Sequence, residues 1–413
     1  MRLVGPVPGG DNYRDHATIR ARSVNVLIVV PWDQEYGGVA SVVSNLAEQL
    51  RARGHGVQFF HPGEGFKARR KTARNGFPAW EFDLKSTSVE RRPVVSRIAF
   101  LLYFVPTIVR LLVLLRRERV DIVNIHYPID PFVWFAFCRA IAPIRLVTSV
   151  HGADLVIGEG ELRPVRWGVR CILSRSDAVV APSAAYRDEA LTSRPDLLAR
   201  AEVIHNSLDL AGLSVTAPAQ APGGTPYLLT VAAHNPKKGL DVLLRAFEFI
   251  AARYPGLELH LVGDGPLRAE LEAQAAAGPA HGRIRFLGKL PNAEVMSLLR
   301  GCRAFVFPSR SESFGIAALE ALGCASPVVA SRVGGLPEFI EDGVHGLLVP
   351  HDDPEALAAG VGRLLDDPAL ARRLGQAGAN RVMAEFGTER TGAQYEALFQ
   401  RLLTAPPGHR RGS

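Results

Sequence analysis

Cysteine is scarce in this chain and carries no pattern. The four residues, Cys138, Cys171, Cys302 and Cys324, stand apart with no CxxC pair. That excludes a disulfide scaffold, argues against a zinc site and suits free thiols in a reducing compartment. Long apolar runs are missing as well. IAFLLYFVPTIV is only 12 residues long, contains Pro106 and ends at Arg110, whereas a membrane span needs roughly 18 or more apolar residues. Residues 1–22 are polar and charged with no apolar stretch, so they read as a disordered extension and not as a secretion signal. The expected location is therefore cytoplasmic. There is also no GxGxxG, no short-period repeat, no His/Asp/Glu cluster at metal-ligand spacing and no DNA- or RNA-binding module.

What is present describes a globular protein. Of 413 residues, 47% are hydrophobic and 22% charged, and a chain of this length divides most simply into two domains. The net charge of +7 is uneven. Residues 1–206 hold 28 Lys and Arg against 20 Asp and Glu, while the remainder holds 20 against 21. A basic half points to an anionic partner, nucleic acid or lipid surface, or to solubility alone.

Short continuous apolar runs recur at VNVLIVV (24–30), VDIVNI, RLVTSV, DAVVA and AEVIH, with gaps long enough for crossover helices. Such runs are strands buried on both faces of a parallel sheet. After an Ala-, Pro- and Gly-rich stretch at 208–225 the rhythm restarts with PYLLTVA, LELHLVG, IRFLG, AFVFPS, PVVAS and HGLLVP. The fold class predicted is α/β, with two doubly wound Rossmann-like domains facing across a cleft. The divisions expected are an extension at 1–22, an acceptor-side domain at 23–206, a linker at 207–225, a donor-binding domain at 226–386, a terminal helix at 387–404 packing back on the first domain, and a tail at 405–413.

Ligands in such sheets sit beyond the carboxyl ends of the strands. Gly37 and Gly38 follow the first strand, where absent side chains and a helix N-terminus favour an anion, although a tight turn explains them equally well. Gly263 and Gly265 occupy the same position in HLVGDGPL. The stretch SRSESFGIAALEAL is more informative. Glu312 is read in the loop after a strand, and Glu320 about two turns into a helix starting near Phe314 or Gly315. Eight residues at about 1.5 Å each separate them by roughly 12 Å, the span from a sugar across a pyrophosphate to a ribose. The free backbone N–H groups between them would meet the phosphates. The alternative is a capping acid and a solvated helix residue.

ESFGIAALE resembles the E-x7-E motif of retaining glycosyltransferases of family 4, which have the GT-B fold. YGGVASVVSNLAEQLRARGHGV, HGADL, VIHNSLD, KKGLDVLLRAF, LVGDGP, FLGKLP and VGGLPEFIEDGVHGLLVP follow in that family's order, so the resemblance runs from Val24 to Glu385. It implies transfer of a hexosyl unit from a UDP- or GDP-linked sugar to an acceptor hydroxyl with retention, without a cofactor or metal. Glu312 and the backbone of Ser313, Phe314, Gly315 and Ile316 would hold the donor sugar, and Glu320 the ribose hydroxyls. Lys238 would sit on the donor phosphates, His151 would touch the donor sugar, and Lys289 and Leu290 would read the nucleobase. At Ala232 and Ala233 relatives carry Gly-Arg, and the lost cation is expected to be replaced by His234 or Lys237.

The acceptor expected is a saccharide or lipid-linked saccharide in polysaccharide or glycolipid assembly. Apolar residues 98–109 lie among the cations of FKARRKTAR (66–74), Arg91, Arg92, Arg97 and RRER (116–119). That mixture suits an anionic membrane surface at the inner face of the membrane, or else a core helix. Nucleic acid is not an expected partner. The competing functions are a nucleotide-sugar epimerase of the same shape and a non-catalytic nucleotide-sugar-binding protein.

Overall fold

A computed structural model describes residues 22–31, 38–63, 69–72, 76–85, 98, 100–152, 154–155, 167–192, 194–213 and 224–405. Gly37, the extension before residue 22, Arg91, Arg92, Arg97, much of the expected linker and the tail beyond 405 lie outside the described residues.

Two sheets form two α/β domains. The first is built from β1 (Asn25–Val29), β2 (Gly56–Pro62), β3 (Arg69–Thr72), β4 (Pro78–Phe82), β5 (Ile122–His126), β6 (Arg145–Ser149), β7 (Ala178–Ala181) and β8 (Ala201–Val203), in the order β3-β4-β2-β1-β5-β6-β7-β8. The second takes β9 (Tyr227–Val231), β10 (Glu258–Val262), β11 (Ile284–Gly288), β12 (Ala304–Phe307), β13 (Val328–Ser331) and β14 (Leu347–Val349), in the order β11-β10-β9-β12-β13-β14. In each sheet the order reverses beside the first strand, between β1 and β5 and between β9 and β12. Those are the positions where open α/β sheets form their crevices.

The strands are apolar throughout because both faces are covered. Val26 and Ile28 of β1 enter one cluster, with Val43, Leu46 and Leu50 of the helix Gly38–Ala52. Leu27 and Val29 enter the opposite cluster, with Leu111, Leu115 and Trp134. Alternation along a strand makes this division obligatory. Each fully buried aliphatic side chain contributes about 1.5–3 kcal/mol, so Ile28→Asp in the centre of this sheet would break the domain. The second sheet is covered likewise, with Leu229, Phe305 and Phe307 on one side and Leu228, Leu259 and Val306 on the other.

Three strands escaped the sequence reading, and one corrects it. β3 falls inside FKARRKTAR and pairs antiparallel with β4, Arg70 opposite Trp80. Its sequence, RRKT, has no apolar alternation because it is an edge strand held by main-chain pairing, where the exposed Arg70 also discourages pairing with another chain. The basic run is thus partly sheet edge.

The chain crosses between the domains twice, side by side. Leu208 N–H donates to Phe386 O at 2.9 Å, and Thr388 N–H to Leu208 O at 3.2 Å. The last helix, Thr388–Thr404, then lies on the first domain. Tyr395, Leu398 and Phe399 join the cluster of Val43 and Leu46, and Gln49 Nε2 donates to Thr388 Oγ1 at 3.2 Å.

Candidate active site

The residues expected on the donor side follow the ends of β9 to β12. After β9 a 3-10 turn, Pro236–Lys238, leads through Gly239 into the helix Leu240–Arg253. Gly239 has φ 59° and lies against the Pro308 carbonyl, so any side chain there would push the Lys238 turn away from β12. Lys238 meets the Glu312 carboxylate in an ion pair, and its ammonium stands 5.4 Å from the centre of the Phe307 ring. Glu312 is buried, and its Oε1 also accepts from Ser309 Oγ at 2.8 Å. A buried carboxylate needs such partners. Arg310, two residues earlier, is committed elsewhere: it forks onto Asp241 at 2.9 and 2.7 Å and reaches Asp352 at 2.6 Å.

The helix after Glu312 is Ile316–Gly323, opened by Gly315 in the left-handed region with no side-chain cap. Its first N–H groups therefore remain for an anion. Phe314 turns its ring inward against Phe339, 5.0 Å between centres, so it offers a ligand only backbone, while Ser313 and Ile316 are half-buried. Glu320 lies little more than one turn into this helix, not two, because the loop is longer and the helix starts later than the sequence suggested. Among the described residues no hydrogen-bond or ion-pair partner meets its carboxylate, and burial pushes its pKa up to about 7. An unpaired carboxylate of this kind, in low-dielectric surroundings, is suited to two hydroxyl donors.

Gly263, after β10, has φ 126°, and a side chain there would run into the Ala232 carbonyl. Its N–H donates to Gly288 O at 2.8 Å, tying β9, β10 and β11 together where Lys289 is exposed and Leu290 half-buried. His234 does not supply the cation missing at Ala233. It is fully buried, and neither ring nitrogen finds a partner among the described residues. Burial, and then nearby Arg268, depress its pKa, against the upward pull of Asp264 and Glu272, which disfavours the charged form. Lys237 is half-buried. Burial and then Lys238 lower its pKa, while Glu189 and Asp154 of the first domain and Glu312 of the second pull it up, so it faces the cleft.

From the first domain, His151 follows β6 and is fixed by its loop. Its N–H and that of Gly152 donate to Asp154 at 2.9 and 2.7 Å, and Tyr186 Oη donates to Asp154 at 3.0 Å. The domains meet here. Ser313 Oγ donates to His151 O at 2.6 Å, and Ser183 Oγ to Ser313 O at 2.6 Å. Gly38 faces the Ile316 side chain, with Cδ1 only 2.8 Å from where a Cβ would stand. The structure thus brings Lys238, Glu312, Ser313 and His151 to one place, with Gly38, Ile316 and Glu320 beside it and Gly263, Lys289 and Leu290 at the neighbouring strand ends.

Sequence reasoning missed several members. Glu338 of the second domain accepts from the N–H groups of Ala184 and Ala185, at 3.1 and 2.8 Å, and from His205 Nε2 at 2.9 Å. Burial raises its pKa, but the His205 bond and the two amides outweigh that and hold it below the usual carboxylate range. His126 ends β5 as His151 follows β6, so the same strand-end rule could have found it. Asn124 was visible as a polar residue inside a buried strand.

Two Rossmann-like domains meeting at such a cleft make the GT-B architecture of nucleotide-sugar-dependent glycosyltransferases. Residues 36–211 match the family described as Glycosyltransferase Family 4, and residues 216–381 match Glycosyl transferases group 1. The chain is 30% identical over 306 residues to a glycogen synthase of Mycobacterium tuberculosis, covering 72% of each chain. It is 27% identical over 382 residues to N-acetyl-alpha-D-glucosaminyl L-malate synthase of Bacillus anthracis, covering 89% of this chain and 94% of that one. Among solved structures it resembles HepE of Anabaena in complex with UDP-glucose, with a TM-score of 0.69, 18% identity, and coverage of 90% and 99%. The protein belongs to glycosyltransferase family 4.

Proposed function

We propose that this transferase moves a hexosyl unit from a UDP- or GDP-linked sugar to an acceptor hydroxyl with retention of configuration. The observation that carries this reading is the Lys238–Glu312 pair at the uncapped N-terminus of Ile316–Gly323. In it Lys238 and the helix amides take the donor phosphates, so positive charge is in position as the leaving group becomes more negative. Glu312, with the backbone from Ser313 to Ile316, takes sugar hydroxyls. Glu320 takes the ribose, Gly263, Lys289 and Leu290 frame the base, Gly38 lets the first domain's backbone pack close against Ile316 beside the phosphates, and His151 touches the sugar from the other domain. Lys237 takes the place of the arginine absent at Ala233. In this reading residues 23–206 form the acceptor side and 226–386 the donor side, and the departing phosphate helps to deprotonate the acceptor on the same face.

Incubation with UDP-glucose and GDP-mannose, following nucleotide release with and without saccharide acceptors, tests the reading. Acceptor-dependent release and a product of the donor's anomeric configuration are expected. Release of neither nucleotide, or inverted product, contradicts it.

A membrane-proximal, lipid-linked acceptor for polysaccharide or glycolipid assembly is supported by one surface. Among the described residues no helix is long and apolar enough to cross a membrane. The helix Phe104–Arg117 buries Ile108, Leu111, Leu114 and Leu115 but leaves Val105, Val109 and Val113 exposed by 66%, 52% and 57%. Leu101, one turn earlier, is 71% exposed. Four aliphatic side chains spaced by four make one outward stripe, with Arg116, Arg117 and Arg119 exposed at its end. Such a face suits the boundary of an anionic bilayer. Binding to phosphatidylglycerol vesicles that falls with salt, and is lost in Leu101→Ser/Val105→Ser/Val109→Ser, is the expected result; unchanged binding by the triple variant removes the membrane from the account.

A further inference from the structure

His151 is the last member of a buried polar chain that begins on the terminal helix. Tyr395 Oη is 3.0 Å from Ser149 Oγ, which donates to Asn124 Oδ1 at 3.0 Å. Asn124 Nδ2 is 2.9 Å from His126 Nε2, and His126 Nδ1 is 3.0 Å from His151 Nε2. Asn124 and His126 are completely buried. They are two residues apart in β5 and so share a face of the sheet, and His126 stands opposite Ser149 in the register of β5 and β6.

We infer that Asn124 and His126 are positioning residues that fix the tautomer of His151, so that it turns a neutral Nδ1–H toward the cleft. The direction of the chain follows from its two ends and from the rule that buried polar hydrogens find acceptors. The Tyr395 phenol has Ser149 as its hydrogen-bond partner among the described residues. Its proton must go to Ser149 Oγ, and Ser149 must pass its own to Asn124 Oδ1. An amide nitrogen only donates, so His126 Nε2 accepts and the His126 proton sits on Nδ1. That proton is given to His151 Nε2, which leaves the His151 proton on Nδ1. Running the chain the other way would strand the phenol hydrogen inside the protein without an acceptor. A doubly protonated His126 would set an N–H against the Asn124 N–H. Burial, and then the neighbouring His151, depress the His126 pKa, in keeping with a neutral ring.

This inference rests on the reading that His151 touches the donor sugar, and gives that contact a chemical sense. The histidine donates one hydrogen bond to a sugar oxygen and adds no charge beside Lys238. The terminal helix is thereby connected to the site, since Tyr395 sets the direction of the whole chain.

The test is the ring-nitrogen spectrum of the full chain labelled with 15N-histidine, with the His151 signals assigned by their loss in His151→Gln. The result expected is a protonated Nδ1 and an unprotonated Nε2. A His151 proton on Nε2 overturns the inference, whatever the activity. In His126→Phe the constraint is gone, and His151 should become a mixture of tautomers or switch. Turnover should then fall about 10- to 100-fold, the loss found when partners that orient metal-binding histidines are removed, with nucleotide affinity unchanged. Retention of the Nδ1–H form in that variant also overturns it. If His126→Phe does not fold, Tyr395→Phe makes the same measurement, since it removes only the donor that sets the direction. Unchanged transfer by His151→Gln would instead remove the sugar contact and leave the tautomer result standing.

Discussion

The two walls of the cleft differ in kind. On the second domain the site is charged: Lys238 paired with Glu312, Glu320 without a partner among the described residues, and Arg310 fixed by two aspartates. The first presents a pair of imidazoles, His126 and His151 joined ring to ring and both with pKa values lowered first by burial, while the Asp154 carboxylate is taken up by the loop amides and Tyr186. A leaving nucleoside diphosphate gains charge during transfer and a sugar hydroxyl does not, so the reaction has use for fixed charge on one wall and for oriented uncharged hydrogen bonds on the other. Each prediction below removes a group from one wall and asks whether the loss is of the kind assigned to it.

The largest effect is expected at Lys238. Lys238→Ala should lower turnover about a hundredfold or more, by analogy with deleting one donor from an oxyanion site. Near-normal turnover would mean that Lys237 carries the charge. Next, Glu320→Ala should weaken free-nucleotide binding, and Glu312→Ala should mainly lower turnover, each by about 1.5–3 kcal/mol for a hydrogen bond to a charged group. Equal effects of both on nucleotide affinity would erase the division between ribose and sugar.

Glu320 also gives the donor wall a pH signature. Burial pushes its carboxyl up to about 7, and in the proposed role ribose hydroxyls would bind the ionised form better. Nucleotide affinity should therefore rise as pH increases through 7 and then level, and Glu320→Gln should flatten the profile. For stability the sign is opposite. A carboxyl raised above its unfolded value binds protons more strongly when folded, so its ionisation opposes folding increasingly from about pH 4.5 to 7. Glu320→Gln should raise the melting temperature at pH 8 more than at pH 4.

A smaller effect is expected at the contact that joins the walls. Glu338 is held below the usual range, so its stabilisation is present above about pH 4.5 and fades as pH falls through its folded value. Glu338→Gln should lower stability by about 1 kcal/mol at pH 7, and calorimetry should find the difference shrinking as the pH is taken progressively below about 4.5. The smallest effect is expected from EDTA, which should leave transfer unchanged because Lys238 and the helix amides supply the positive charge. Loss of transfer restored by magnesium would replace that account.

The strands buried on both faces were legible because continuous apolar runs such as VNVLIVV have few other uses, and the loop after β12 because ESFGIAALE combines a family motif with a strand end. β2, β3 and β4 were not legible. GVQFFHP mixes a histidine and a proline into its apolar residues, and RRKT becomes a strand only through main-chain pairing that no side-chain pattern announces. His234 was misjudged because sequence shows a histidine but not its burial. The Tyr395 to Ser149 contact joins residues 246 apart in sequence and could be seen only once the terminal helix was in place.

The difference between the walls is tested most directly by titrating free UDP and GDP calorimetrically into the wild-type protein, Lys238→Ala, Glu320→Ala and His151→Gln. The account predicts that one of the two nucleotides binds the wild-type protein, that the two donor-wall variants lose affinity for it, and that His151→Gln keeps it. Nucleotide affinity that falls as far in His151→Gln as in Glu320→Ala, or that survives in both donor-wall variants, would contradict it.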